Sequence, residues 1–364
     1  MGMKQLVERP LRQQKELEID EELRELLEKR KTQIKVVGAG GAGNNTITRL
    51  MQVGIVGAET IAVNTDAQDL LYTDADVKVL IGKELTGGLG AGANPEIGRE
   101  AAKESKEELK KVLKGADMVF LTCGLGGGTG TGSLPIIADI SKKLGALTVA
   151  IVTLPFTMEG KQRMKNAREG LANLEKVTDT LIVIPNDKLL EIVPDVSIAT
   201  AFKVADEILV NAVKGIAELV TKPGLVNLDF ADVKAVMSEG GLAMIGMGES
   251  NTENRALEAV EKALSNPLIT VDINGAKGAL INVMGGPDIT IKEAQQVCEA
   301  VSTRLSPDAK IIWGAQIAKE LGDTIRALLI ITGVKSPQIF GPEKLWTAEE
   351  RKDIEKILGV EFIK

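Results

Sequence analysis

The stretch Cys123–Gly132, CGLGGGTGTG, carries six glycines in the nine positions from Gly124 onward and follows directly on the apolar run MVFLT (118–122). Each glycine costs about 0.5–1 kcal/mol relative to alanine in regular structure, because it loses the most backbone freedom on folding. Such a cost is concentrated where backbone must approach something too closely for side chains. A flexible linker would also explain it, but linkers join domains and do not sit between a buried strand and its crossover helix. The helix expected here is SLPIIADISKKLG (133–145), with Ser133 as N-cap and Pro135 in the first turn. Successive glycine amides at this turn form a concave row of donors for anionic oxygens, to which Thr129 and Thr131 add hydroxyls.

Two further glycine clusters extend the pattern. GAGGAGNN (38–45) follows the apolar run IKVV and precedes the helical stretch TITRLMQVG; Gly38, Gly40 and Gly43 fit G-x-G-x-x-G. That spacing places helix N-terminal amides against a phosphate. It is also the dinucleotide fingerprint, and Asp66 lies where a ribose-binding acid would. The third cluster is GGLGAGANP (87–95). None contains the lysine of G-x-x-x-x-G-K-[ST], which excludes a Walker-type loop. A dinucleotide-dependent oxidoreductase would need only the first cluster and leaves 124–132 unexplained. Several glycine loops on one sheet edge fit the longer phosphate chain of a nucleoside triphosphate.

The flanking texture predicts the fold. Short apolar runs (IKVVG, TIAVNTD, VKVLIG, DMVFLTCG, LTVAIVTLPF, DTLIVIPN) alternate with helical patterns from Ile34 onward. Near-continuous apolar strands separated by helices imply a parallel sheet covered on both faces, with ligands at the carboxyl ends of its strands. Residues 199–223 read as one long, largely apolar helix stopped by Pro223-Gly224, buried between two units. The expected organisation is a polar extension (1–33), a nucleotide-binding α/β domain (34–198), the central helix (199–223), a smaller α+β domain (224–334) and a polar tail (335–364).

Composition removes other chemistries. The 364 residues contain no histidine and two cysteines, Cys123 and Cys298. Ser-His-Asp and Cys-His catalysis and His-ligated metals are therefore absent. The formal charge of -7 argues against a nucleic-acid binder. No apolar run is long enough to span a bilayer, and the N-terminal stretch lacks a signal-peptide core, so a cytoplasmic protein is expected.

With these motifs in place, the chain resembles the FtsZ family, the prokaryotic tubulin-like cell-division GTPases. The resemblance rests on GGGTGTG (126–132), GAGGAGNN (38–45), NTDAQ (64–68), GLGAGANP (88–95), LPFTMEGKQRMKNA (154–167), IPN (184–186), AFKVADE (201–207) and NLDFADVKAVM (227–237). It implies an α/β, Rossmann-like parallel-sheet GTPase domain joined by a long central helix to a smaller α+β domain. It implies GTP as ligand, contacted by Gly40, Gly41, Ala42, Gly43, Asn44, Asn45, Asp66, Gly92, Ala93, Asn94, Gly127, Gly128, Thr129, Gly130 and Thr131. Glu159 and Arg163 are placed near ribose and phosphates, Asn186 and Asp206 on the guanine, and Phe202 against the base. Mg²⁺ is expected to be held mainly by the phosphates.

Asp229 and Asp232 lie three apart at the start of a predicted helix and so share one face. On their own they read as acids complementing a helix dipole. Hydrolysis needs a group to orient the attacking water, and without histidine a carboxylate pair is the natural candidate. The central helix would carry both to the far side of the nucleotide domain. The family resemblance implies that they complete the GTP site of the next subunit, with Asn227 at the contact, in a head-to-tail homopolymer. The terminal ILGVEFIK resembles a peptide that docks on a membrane-anchor protein, which would recruit a cytokinetic ring to the inner face of the membrane. A paralogue serving cell shape or membrane organisation is the alternative role.

Overall fold

The computed structural model describes residues 32–188, 198–221, 224–226, 228–238, 240–265 and 273–335. Asn227, all but the last two residues of the extension over 1–33, and all but the first residue of the tail over 335–364 lie outside the described residues.

The six apolar runs form six parallel strands: β1 (Ile34–Ala39), β2 (Ala58–Asn64), β3 (Val77–Leu80), β4 (Met118–Gly124), β5 (Leu147–Leu154) and β6 (Thr180–Pro185). Their order is β3-β2-β1-β4-β5-β6. Alternation along each strand feeds two cores. In β4, Val119, Leu121 and Cys123 join one cluster while Met118 and Phe120 join the other. The first core is closed by α5 (Lys106–Leu113), α6 (Thr129–Lys143) and α7 (Lys161–Glu175) through Leu109, Leu134, Ile137 and Leu171. The second is closed by α1 (Gly40–Val53) and α8 (Ile198–Thr221) through Ile47, Leu50, Val213 and Ile216. Short helices α2 (Ala67–Tyr72) and α3 (Lys83–Thr86) and the longer α4 (Pro95–Glu104) fill the connections.

The sheet does not stop at β6. After α8 and α9 (Phe230–Met237), β7 (Gly241–Ser250) pairs parallel to β6 at Thr180–Gly241 and Ile182–Ala243. Strand β10 (Ile325–Thr332) then lies antiparallel between β7 and β8 (Gly278–Gly285), and β9 (Lys310–Ile317) lies parallel to β8 at the edge. All ten described strands thus make one mixed sheet. Helices α10 (Arg255–Leu264) and α11 (Ile291–Ser302) cover this end over a third core that includes Val260, Val297 and Leu329.

The long helix is present nearly as expected: α8 has 24 residues, about 36 Å at 1.5 Å per residue. One start signal was misread. α6 begins at Thr129, four residues before the expected N-cap, so Ser133 is buried inside it and Pro135 is an interior proline. Among the described residues no helix is long and apolar enough to cross a membrane. Cys123 is buried and Cys298 half-buried, both as free thiols.

Candidate nucleotide-binding site

A cleft of about 300 Å³ opens where β1, β4, β5 and β6 end. Twelve of the expected residues line it: Gly40, Gly41, Ala42, Gly127, Gly128, Thr129, Gly130, Glu159, Arg163, Asn186, Phe202 and Asp206. They come from segments some 160 residues apart in sequence, brought together by the parallel topology.

The remaining expected contacts stand behind or beside this wall. Gly43 packs strand against helix: a methyl there would lie 2.7 Å from Thr122 O and 3.1 Å from Gly38 Cα. Asn44 is buried and donates to Asp69, while Asn45 is exposed. The Asp66 carboxylate caps α2, accepting from Gln68 N at 2.9 Å and Asp69 N at 3.1 Å. Asn94 caps α4 by accepting from Glu96 N. Gly92 and Ala93 precede it in a loop braced by Asn166, whose Nδ2 donates to Ala93 O at 3.3 Å. Thr131 is buried and its hydroxyl accepts from Gly126 N at 2.9 Å, so it tightens the glycine turn from behind.

The electrostatics of the wall come from backbone. Helices α1 and α6 both start at the cleft, with no side-chain cap and no acid in their first turns. By contrast α2, α4, α9 and α11 are capped by Asp66, Asn94, Asp229 and Thr290. Two bare N-termini leave orphan N–H groups and two positive dipole ends facing one space, which suits an anion. Arg163 is the one cation among the described lining residues, and it pairs with Glu159. Glu159 is itself fixed by accepting from Phe156 N at 2.9 Å.

The far end of the cleft has a different chemistry. Asp206, on the first turns of α8, has its carboxyl pushed up to about 6 by burial. Asn186 Oδ1 is buried without a hydrogen-bond partner. Buried acceptors left unpaired are costly, about 1–3 kcal/mol each, so this end is built for a ligand edge that donates. Phe202 is 43% exposed and would present a ring to a planar group. Phe156 holds it from behind, edge to face at 5.2 Å and 87°.

Sequence reasoning missed the residue that ties the loops together. Asp69 Oδ2 accepts from Asn64 Nδ2 at 2.6 Å and Asn44 Nδ2 at 3.1 Å. Asn64 Oδ1 accepts from Thr65 N at 2.8 Å, and the Thr65 and Thr129 hydroxyls meet at 2.6 Å. This chain of bonds joins α1, the end of β2 and α2 to the start of α6. Its signal lay one residue beyond NTDAQ, but no local spacing announces a partner across the fold. Thr153, Pro155 and Leu209, further lining residues, were likewise not singled out, nor was Phe156 behind Phe202.

Asp229 and Asp232 are not at this cleft. They open α9, beyond the opposite end of α8 from Asp206. Asp206 to Thr221 alone is 15 helical residues, about 22 Å. The loop that carries them is seated on β9: Val226 N donates to Ala315 O and Ala315 N to Val226 O, both at 3.2 Å. Leu228 is buried over Gly314, where a methyl would lie 3.0 Å from Leu228 Cγ.

Comparison with known proteins identifies the family. Residues 33–194 match the Tubulin/FtsZ family, GTPase domain, and residues 241–335 match the FtsZ family, C-terminal domain. The chain is 63% identical over 340 residues to cell division protein FtsZ 1 of Thermococcus kodakarensis, covering 93% of this chain and 91% of the relative. It is 66% identical over 317 residues to cell division protein FtsZ 1 of Methanocaldococcus jannaschii, covering 87% of each. An FtsZ dimer structure from M. jannaschii superposes with TM-score 0.82 at 66% identity, covering 86% of this chain and 92% of that one. CetZ1 from Haloferax volcanii, at 23% identity and TM-score 0.74 over 85% of this chain and 96% of that one, shares the fold.

Proposed function

The chain belongs to the FtsZ family of tubulin-like cell-division GTPases, and on that premise we propose how its own residues bind GTP, complete its hydrolysis and couple it to assembly. It is a GTP-binding, self-associating GTPase. The observation that carries the assignment of the cleft is the convergence of two uncapped, acid-free helix N-termini. The phosphates supply the missing cap, accepting from amides of Gly40–Ala42 and Gly127–Gly130. Guanine lies at the other end, its ring N–H and amino group donating to Asp206 and Asn186, with Phe202 against its face. Adenine has no ring N–H and would leave an acceptor unpaired, which is the source of discrimination. With a single cleft cation already paired, Mg²⁺ would be held mainly by the phosphates and would offset their charge. We assign residues 34–198 to the nucleotide-binding unit and 224–334 to the unit that carries the aspartates.

Water attacks the γ-phosphorus in line, the bond to the β-γ bridging oxygen breaks, and GDP leaves with that electron pair. Asp232 orients the water by accepting a hydrogen bond from it. The distance along α8 argues against a subunit's own Asp232 in this role. The Asp232 of a second copy, stacked head to tail, supplies it, and such contacts propagate into filaments. Phosphate release per subunit is therefore expected to rise from near zero at high dilution to a plateau once sedimentable polymer forms. Turnover per subunit that is constant across protein concentration would reject completion in trans. The relatives at 63% and 66% identity are named for cell division, which favours a ring at the division site over a paralogue's shape role. The tail over 335–364 is assigned to docking on a membrane-anchor protein.

Asp206 gives a pH dependence with a defined sign. In the free protein its pKa is raised from 3.8 to about 6, so below that pH it is protonated and is a poorer acceptor for its guanine donor than the carboxylate. Binding there must release a proton, and GTP affinity is expected to fall about tenfold per unit below pH 6 and to be flat above pH 7. The stability linkage has the opposite sign: protonation at Asp206 favours the nucleotide-free fold, and that contribution, full below about pH 4, is lost as pH rises through about 6. Titration calorimetry with GDP between pH 5 and 7.5 checks this, with Asp206→Asn expected to flatten the profile. An unchanged wild-type Kd at pH 5 would contradict it.

A further inference from the structure

We propose that Asp229 is a positioning residue for Asp232, working through the helix cap and not through its own charge. The proposal rests on the reading of Asp232 as the water-orienting carboxylate. At the start of α9 the two aspartates form a reciprocal capping box. Asp229 Oδ1 accepts from Asp232 N at 2.8 Å, and Asp232 Oδ2 accepts from Asp229 N at 3.2 Å. Each therefore commits one carboxylate oxygen and keeps one without a partner among the described residues. An acid at the third helical position is otherwise free to choose among rotamers. The bond back to Asp229 N holds Asp232 in the one that reaches toward the N-cap, with Oδ1 as its working oxygen.

The surroundings favour this division of labour. Asp229 is exposed while Asp232 is half-buried, so the outer residue is the cap and the inner one is the held group. The loop before them is pinned to β9 by the Val226–Ala315 bonds and by Leu228 over Gly314. The cap is the remaining constraint, closing the loop from the helix side. A role through charge, at the water or at a cation, would not need Asp229 Oδ1 to be tied to a backbone N–H of its own helix.

The two roles separate by substitution, because Asn, Asp and Ser are equivalent as N-caps while Asn and Ser carry no charge. The full chain is compared as Asp229→Asn, Asp229→Ser, Asp229→Ala and Asp229→Gly. The readouts are GTP affinity, polymer sedimented with a slowly hydrolysed GTP analogue, and phosphate release per polymerised subunit. The Asn and Ser chains are expected to keep turnover within about threefold of wild type, because both retain the cap. The Ala chain is expected to lose about tenfold or more at unchanged GTP affinity, since small misplacement of a catalytic group is expensive, and the Gly chain less, because Gly is a tolerated N-cap. Asn turnover about tenfold or more below wild type overturns the proposal, as does wild-type turnover in all four chains. The Asn result decides the matter even if the Ala chain does not assemble. Failure of the premise is read separately: an Asp232→Ala polymer that hydrolyses GTP normally removes the role of Asp232 whatever the Asp229 series does.

Discussion

Asp232→Ala chains are expected to bind GTP with unchanged affinity and to release phosphate about 10²–10⁴-fold more slowly, the range lost when a positioned proton acceptor is removed. Loss of turnover alone does not say whose aspartate was at work. Complementation does. An Asp206→Ala chain lacks the guanine acceptor and should hydrolyse little GTP, yet its Asp229–Asp232 loop is intact at the far end of α8. Mixed with Asp232→Ala, it offers that loop to a neighbour holding GTP. Two nearly inactive chains should together regain a substantial fraction of wild-type turnover. If each subunit used its own aspartates, every chain in the mixture would stay defective, and turnover would equal the sum of the two parts. That sum, observed with copolymer present, rejects the assignment.

The geometry gives α8 a second significance. Its first turns carry Phe202 and Asp206 at the base end of the cleft, and its last residue, Thr221, donates to Val56 O at 3.1 Å near the aspartate-bearing side. Between them Leu209, Val213 and Ile216 are fully packed against strands from both halves of the sheet. One buried element thus fixes the separation between the cleft and the aspartate-bearing loop. On the proposed reading, in which that loop serves a neighbour's nucleotide, this separation ties turnover to assembly.

The first six strands were legible because buried parallel strands read as uninterrupted apolar runs, and all six lie within two residues of their expected places. The start of α6 was not. Capping rules look for a side chain that satisfies the first amides, and Ser133 is the best candidate by type. Here those amides have no side-chain cap, the helix begins at Thr129, and Ser133 Oγ is buried without a partner among the described residues. The Asp229–Asp232 spacing was legible as acids complementing a helix dipole and as an acid pair, but the reciprocal capping box between them was not. The Asp69 network was hidden because it joins residues from four separate elements. The pairing of β7 with β6 was hidden too, since 55 residues separate Pro185 from the strand that continues the sheet and no local pattern encodes that return.

The glycines of residues 124–132 divide into two kinds, and the division yields a test with opposite outcomes at neighbouring positions. Gly127 lines the cleft, and a methyl there would meet no protein atom within 4 Å. Gly132, inside α6, is the reverse: a methyl would lie 2.6 Å from Arg99 N and closer still to Pro95 O, both backbone atoms of α4. By helix propensity alone Gly132→Ala should stabilise by about 1 kcal/mol. Overpacking costs about 1–3 kcal/mol, and backbone against backbone cannot rotate away, so the upper end applies and the net is a loss of roughly 2 kcal/mol. For a domain of this size that is a fall in Tm of roughly 4–8 °C. Gly127→Ala should leave Tm of the nucleotide-free chain unchanged. Its methyl takes the space of one charge-assisted phosphate contact, about 1.5–3 kcal/mol, so GTP affinity drops roughly 10- to 100-fold. Thermal unfolding and GTP titration on the two chains read both effects. A Gly132→Ala chain more stable than wild type would refute the packing role, and wild-type GTP affinity in Gly127→Ala would refute the cradle.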